Sequence, residues 1–208
     1  MEDCHCFELA KTAMLRADPV WFDDQIVNEL KYNYVRKYDK VACRLNGGSD
    51  LDWTGVAARV PEVQFMDYTK VPQRMFDWID GELPPNYHLT FSRGSHNWLT
   101  CLEVLTRGGN VSVVVHKKPS RYKNDRVFHL PIRSGLMLRG KYIDGDTNDL
   151  RFLDKDNRPC VDGRWKPNED RCGNIVMLSA KGHPAKADHE SGFVLESLYD
   201  LDFRAIAS

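Results

Sequence analysis

The sequence predicts an α/β protein built on an incomplete TIM-barrel-like (β/α)6 parallel sheet in a single domain. Three observations lead there. About six short apolar runs, mostly separated by segments of helical spacing, read as strands apolar on both faces, which is how parallel strands in βα units look. Successive strand tips fall about 20 to 35 residues apart, near the unit length of a (β/α) barrel. The chain of 208 residues is too short for the eight units of a full barrel of roughly 250 residues. An open, doubly wound sheet is the alternative.

The elements follow in order. Residues 1 to about 38 form a helical segment: "FELAKTAMLRA" has helical spacing, and "DPVWFDDQIVNELKYNYVRKY" begins with Asp18 as a natural N-cap and Pro19 in the first turn. "KVACRL" is a buried strand running into Gly47-Gly48, where a turn too tight for side chains would let a ligand approach the main chain. "VQFMDYTK" is a strand followed by the helix "VPQRMFDWID". "YHLTFSRG" is another, followed by the helix "SHNWLTCLEVLTRG", capped by Ser95 and ended by Gly108. "VSVVVHKK" is the most β-branched stretch, and "GKYIDGD" and "NIVMLSAKG" complete the sheet. Trp53, Trp78 and Trp98 fall in helical segments and read as packing residues. The aperiodic, turn-rich stretch of about 152–173 is an inserted hairpin or lid.

Net charge is −1 and the pI about 6.6, so any contact with nucleic acid must be local. The best candidate is "HKKPSRYKNDR" at 116–126, five cations around Tyr122. No apolar run approaches the roughly 20 residues of a membrane helix, and the acidic N-terminus is unlike an export signal, so a reducing cytoplasm is expected. Six cysteines stand at 4, 6, 43, 101, 160 and 172 without a C-x-x-C pair. Cys4 and Cys6 flank His5 and are candidate metal ligands; Cys43 and Cys101 read as small core residues. Walker, dinucleotide, zincin and nucleophile-elbow motifs are all absent.

In parallel βα folds, active sites form at the carboxyl ends of the strands. Here those ends carry Asn46, Ser49 and Asp50; Asp67, Thr69 and Lys70; Ser92, Arg93 and His96; His116 and Lys117; Asp144, Asp146, Asp149 and Arg151; and Ser179, Lys181 and His183. That density of proton-transferring and anion-holding groups favours an enzyme. Lys70 and Lys181 end apolar strands, where partial burial disfavours an ammonium unless a carboxylate pairs with it. "DGDTNDLR" lacks the Glu and the spacing of an EF-hand and reads as part of a shared polar site.

The succession "RLNGGSD", "VPEVQFMDYTK", "LPPNYHLTFSRG", "IDGDTNDLRFLD", "IVMLSAKG" and "SGFV" resembles the gene-product-88-like family of phages and mobile elements over about residues 40–194. The matching positions are Gly48, Ser49 and Asp50; Tyr68, Thr69 and Lys70; Gly145, Asp146, Asp149 and Arg151; and Lys181 and Gly182. The family's leading cysteines are represented by "CHCFELA". The resemblance implies a phage-like origin, a barrel-like fold and, with it, the host cytoplasm.

The leading expectation is an enzyme acting on a nucleobase or nucleic acid, by base exchange like that of the deazaguanine transglycosylases. Asp50 or Asp146 would be the nucleophile, Asp67 and Asp149 would read or orient the base, and Lys70, Lys117, Arg151 and Lys181 would hold phosphate. Asn46, Ser49, Thr69, Ser92, His96, His116 and His183 would line the substrate. A cofactor is expected to be a divalent metal or none. The rivals are a non-catalytic nucleic-acid-binding accessory protein and a metal-dependent phosphodiesterase with Asp144, Asp146 and Asp149 on magnesium.

Overall fold

The computed structural model describes residues 2–118, 127–131, 137–154 and 171–201. Helix α1 (Glu2–Ala17) leads into α2 (Pro19–Glu29), whose end continues as π-helix over Leu30–Val35. As expected, Asp18 caps α2, its Oδ1 accepting the Trp21 N–H at 2.9 Å. The sheet and its helices then follow as β1 (Val41–Cys43), α3 (Thr54–Arg59), β2 (Val63–Thr69), α4 (Pro72–Ile79), β3 (Tyr87–Ser92), α5 (Trp98–Thr106), β4 (Val111–Val115), β5 (Val127–Pro131), β6 (Met137–Asp144), β7 (Ile175–Ser179), α6 (Gly182–Lys186) and β8 (Val194–Leu195). Gly108 ends the α5 turn with φ +89°, as expected. The cap of α5 differs: the residue before its first turn is Asn97, not Ser95, and Asn97 Oδ1 accepts the Gly94 N–H at 2.6 Å. Trp53 likewise precedes α3 rather than lying in it.

Among the described residues the sheet has eight strands in the order β1-β2-β3-β4-β7-β6-β5, with β8 on β4, and every pairing is parallel except β5 with β6. This corrects the barrel-like expectation, because the sheet is open. After four strands laid side by side the chain jumps to the far edge with β5 and works back, so β7 closes onto β4 and, among the described residues, no strand closes onto the outer edge of β1. The close packing at this junction is visible at Gly173, where a Cβ would stand 1.8 Å from the Gly109 carbonyl oxygen. A side chain there would force the loop before β7 away from the loop before β4.

Side chains alternate across each strand, and parallel partners in register point to the same face. One face carries Val63, Phe65, Tyr87, Leu89, Phe91, Val111, Val113, Ile175 and Met177, packed in one core with Val56, Ala57, Met75, Trp78, Ile79, Leu102, Val104 and Leu105 from the helices. Each fully buried aliphatic or aromatic side chain there contributes about 1.5–3 kcal/mol. The other face is not the apolar surface expected. On β2 to β4 it carries by register Met66, Tyr68, His88, Thr90, Ser92 and Ser112, and of these Met66, His88, Thr90 and Ser112 are buried. Its cover is the chain leaving β6: a Cβ at Gly145 would meet Val176 Cγ1 at 2.6 Å and Leu178 Cδ2 at 2.7 Å, and the 3-10 turn Arg151–Leu153 lies against β2 and β3.

β3 pairs with β4 only through Phe91↔Val111 and Ser92↔Ser112, whereas β7 runs along the opposite edge for all five residues of β4. The vacated upper edge is taken by β8, through Val114↔Val194 and Val115↔Leu195. The last described part of the chain thus arches over the carboxyl ends of the central strands. Arg93 Nη1 ties it to the end of β3, donating to the carbonyls of Gly192 (2.8 Å) and Phe193 (3.1 Å).

Candidate functional site

Three groups of polar residues gather at the carboxyl ends. The first joins the tips of β1 and β2. Asp50 accepts the Lys70 N–H at 2.7 Å, the Thr69 hydroxyl at 3.2 Å and Arg74 Nη1 at 2.8 Å, so it latches the β1 loop onto the start of α4. The Lys70 ammonium is exposed and stands 4.8 Å from the centroid of the Phe193 ring.

Beneath this latch Asn46 and Asp67 are buried and engaged within the fold. Asn46 Oδ1 accepts from Ser49 Oγ, the Leu51 N–H and Trp53 Nε1, while its own amide donates to the Leu51 carbonyl. Asp67 accepts the Asn46 N–H at 3.0 Å and the Tyr87 hydroxyl at 2.9 Å. Burial raises the Asp67 pKa, and the two hydrogen bonds and the nearby Arg44 oppose the rise. Gly47 and Gly48 have neither positive φ nor any atom within 4 Å of an added Cβ, so neither conformation nor space requires glycine there.

The second group lies where the strand order turns back, which is where open α/β sheets form their ligand crevices. Lys118 from the end of β4 donates to Asp144 and, at 2.6 Å, to Asp146 Oδ2, both leaving β6. The Ser179 N–H at the end of β7 donates to Asp146 Oδ2 at 2.9 Å, and Lys181 Nζ stands 3.0 Å from its Oδ1. Burial alone would raise the Asp146 pKa, but these donors hold it well below the usual carboxylate range. Asp146 is therefore ionised throughout the neutral range. Its side chain is 22% exposed and that of Lys181 75%, so Lys181 is not the partly buried lysine the sequence suggested.

The third group is on β4 and the arch. His116 Nε2 donates to the Asp188 carbonyl at 2.8 Å, and its ring stacks on His189 with centroids 4.4 Å apart. His189 Nδ1 donates to Glu196 Oε1 at 2.7 Å. Among the described residues this is the group of three or more histidines, cysteines and carboxylates with ligand atoms close enough to share a metal ion.

The remaining candidates are dispersed. Asp149 and His96 are exposed at the surface, and Lys117 is exposed beside the third group. Ser92 Oγ lies 3.2 Å from Ser112 Oγ on the polar face. Arg151 is 1% exposed, with Nη1 at 2.9 Å from Asp154 Oδ2 and Nη2 donating to the Asn148 carbonyl. The side chains of Cys4, Cys6 and His183, residues 119–126 of the basic loop and 155–170 of the expected lid lie outside the described residues. Cys43 and Cys101 pack as expected, and burial pushes their thiols up to about 11 and about 12.

Sequence reasoning passed over Lys118, read only as part of a basic loop, the buried Thr90 and the half-buried Asp154, and gave the half-buried Tyr68 no role beyond the family resemblance. Tyr68 Oη, Thr90 Oγ1 and Arg151 Nε are buried with no hydrogen-bond partner among the described residues. Burial raises the Tyr68 pKa, with Arg151 and Arg44 opposing, and Arg44 Cζ stands 4.8 Å from the centroid of its ring. The signal available in the sequence was Tyr68 and Thr90 on alternate positions of otherwise apolar strands.

No helix among the described residues is long and apolar enough to cross a membrane. No curated protein and no solved structure matches the chain. A family model described as Gene product 88 matches residues 8–194. The order of strand-end segments noted in the sequence and the extent of that match agree, and the chain belongs to the Gene product 88 family.

Proposed function

We propose that the chain is an enzyme acting on a nucleobase within a nucleotide or nucleic acid, with Asp146 as its nucleophile. One observation carries the reading: an ionised carboxylate meets two lysines where the ends of β4, β6 and β7 converge. In base exchange the Asp146 carboxylate attacks the sugar C1′, and the glycosidic electron pair leaves with the departing base, which takes a proton from the Lys181 ammonium. The incoming base returns its N–H proton to Lys181 as it displaces the carboxylate. Lys181 is exposed and free to swing away from Asp146 as substrate enters, while Lys118, 17% exposed, keeps the carboxylate aimed.

The test is a search for a covalent adduct between protein and DNA, RNA or nucleotide on denaturing gels, with mass spectrometry of the released base. The wild type should form the adduct and Asp146→Asn should not. An adduct that survives the substitution removes Asp146 from the chemistry.

A second reading rests on the same contacts. Asp50 and Asp146 are both already engaged by cations, as expected of a module that binds nucleic acid without reacting. Salt-sensitive binding of single strands, unchanged in Asp146→Asn and without base release, would select it.

A further inference from the structure

We propose that His116, His189 and Glu196 form a zinc site that clamps the 188–196 arch onto the end of β4. This goes beyond the proposed reaction and does not depend on it. The three ligand atoms lie within 4.8 Å of one another. Two imidazoles and one carboxylate are a donor set that zinc takes in sites keeping a fourth position for water or substrate. Donor atoms around a tetrahedral zinc stand about 3.3–3.5 Å apart. The separations here bracket that value, with His189 Nδ1 at 2.7 Å and His116 Nε2 at 4.0 Å from Glu196 Oε1. The ligand atoms, within 4.8 Å of one another, must close by up to about 1.4 Å along the widest edge to share an ion.

The backbone already holds the ligands in place. The His116 N–H donates to the Leu195 carbonyl at 2.8 Å and the Lys117 N–H to the Glu196 carbonyl at 3.1 Å, so His116 and Glu196 sit on paired neighbouring segments. His189 is presented by a turn closed on Asp188, whose Oδ1 accepts the Ser191 N–H at 2.9 Å. The side chain of His116 is 10% exposed, while those of His189 and Glu196 are 59% and 55% exposed, which gives an ion a rigid floor and an entry path. Binding replaces the hydrogen now on His116 Nε2 and on His189 Nδ1, and each ring hydrogen moves to the other nitrogen. The Asp188 carbonyl gives up its bond from His116 in the process.

The site differs from the aspartates after β6, whose negative charge Lys118 and Lys181 already balance. It also needs neither Cys4 nor Cys6.

The test is calorimetric titration of the full chain, stripped of metal by chelator, with Zn2+ at neutral pH. One equivalent should bind. His189→Ala and Glu196→Gln, both at exposed positions, should each weaken binding by at least about 100-fold while leaving the circular dichroism spectrum unchanged. Co2+ should give the visible bands of nitrogen and oxygen ligands without thiolate charge transfer. No saturable binding, unchanged binding in both variants, or a thiolate spectrum abolished by Cys4→Ser and Cys6→Ser would each overturn the proposal.

Discussion

Replacing Asp146 by alanine removes three donors' shared acceptor at once, and the loss can be estimated contact by contact. The Ser179 N–H at 2.9 Å is a hydrogen bond to a charged group, worth about 1.5–3 kcal/mol. Lys118, 2.6 Å away and largely buried, keeps Asp144 as a partner and so loses only part of its pairing, about 1 kcal/mol. Lys181 is mostly in solvent, and its screened pair adds little, about 0–1 kcal/mol. Asp146→Ala should therefore cost about 2.5–5 kcal/mol, and Asp146→Asn, which still accepts from Ser179, about half as much.

The pH dependence supplies the sign. The folded-state pKa of Asp146 is depressed, so its stabilisation is fully present above the unfolded value near 3.9 and is lost as pH falls through the folded value. Urea unfolding of wild type and both variants at pH 7, and again below pH 4, measures it. The gap between wild type and Asp146→Asn should narrow in acid. A cost for Asp146→Ala below about 0.5 kcal/mol, the ordinary surface range, would refute the view that the three strand ends are tied through this carboxylate.

Gly145→Ala should cost about 1–3 kcal/mol by overpacking, because its Cβ would enter the space of Val176 and Leu178, whereas Gly47→Ala should be neutral within about 0.5 kcal/mol; thermal unfolding of the pair checks both. Arg151→Met leaves Asp154 as an unpaired, largely buried carboxylate and should cost about 3 kcal/mol. Burial already raises the Asp154 pKa, so that loss should grow as pH rises above 4, and equal losses at pH 4 and pH 7 in urea would refute the pairing. Tyr87→Phe removes one of two donors to buried Asp67 and should cost about 1–2 kcal/mol at pH 7. The cost should shrink in acid, where Asp67, its pKa raised by burial, is protonated, and denaturation at pH 4 and pH 7 would reveal this.

The helices and six of the strands, β1 to β4, β6 and β7, were legible because continuous apolar runs between helical spacings are what strands covered on both faces look like. β5, and the hairpin it makes with β6, was not. Its residues alternate between exposed and buried, as in "VFHLP", and a reading tuned to unbroken apolar runs passes over alternation. The open sheet was misread as a partial barrel because strand order is a long-range property: nothing local in "VSVVV" says that β7, rather than the next strand in sequence, will lie beside it. At the site, charged tips stood out, yet their partners did not. Asp50 and Asp146 were visible as carboxylates, whereas Arg74 in the first turn of α4 and Lys118 in a basic run gave no sign of being their counter-ions. His189 and Glu196 fall in a stretch with almost no secondary-structure signal, placed only by a two-residue strand.

That two-residue strand bears on the order in which the molecule comes apart. β8 is held by two residue pairs on β4, a few neighbouring backbone bonds and the grip of Arg93, whereas β7 is bonded along the whole of β4. Segments secured by few contacts open with less free energy than the core and do so as a unit. The amides of 188–196 should therefore exchange with solvent by local opening while β2, β3, β4 and β7 remain protected. A ligand larger than the crevice needs only this small release to reach the strand ends without melting the sheet beneath them.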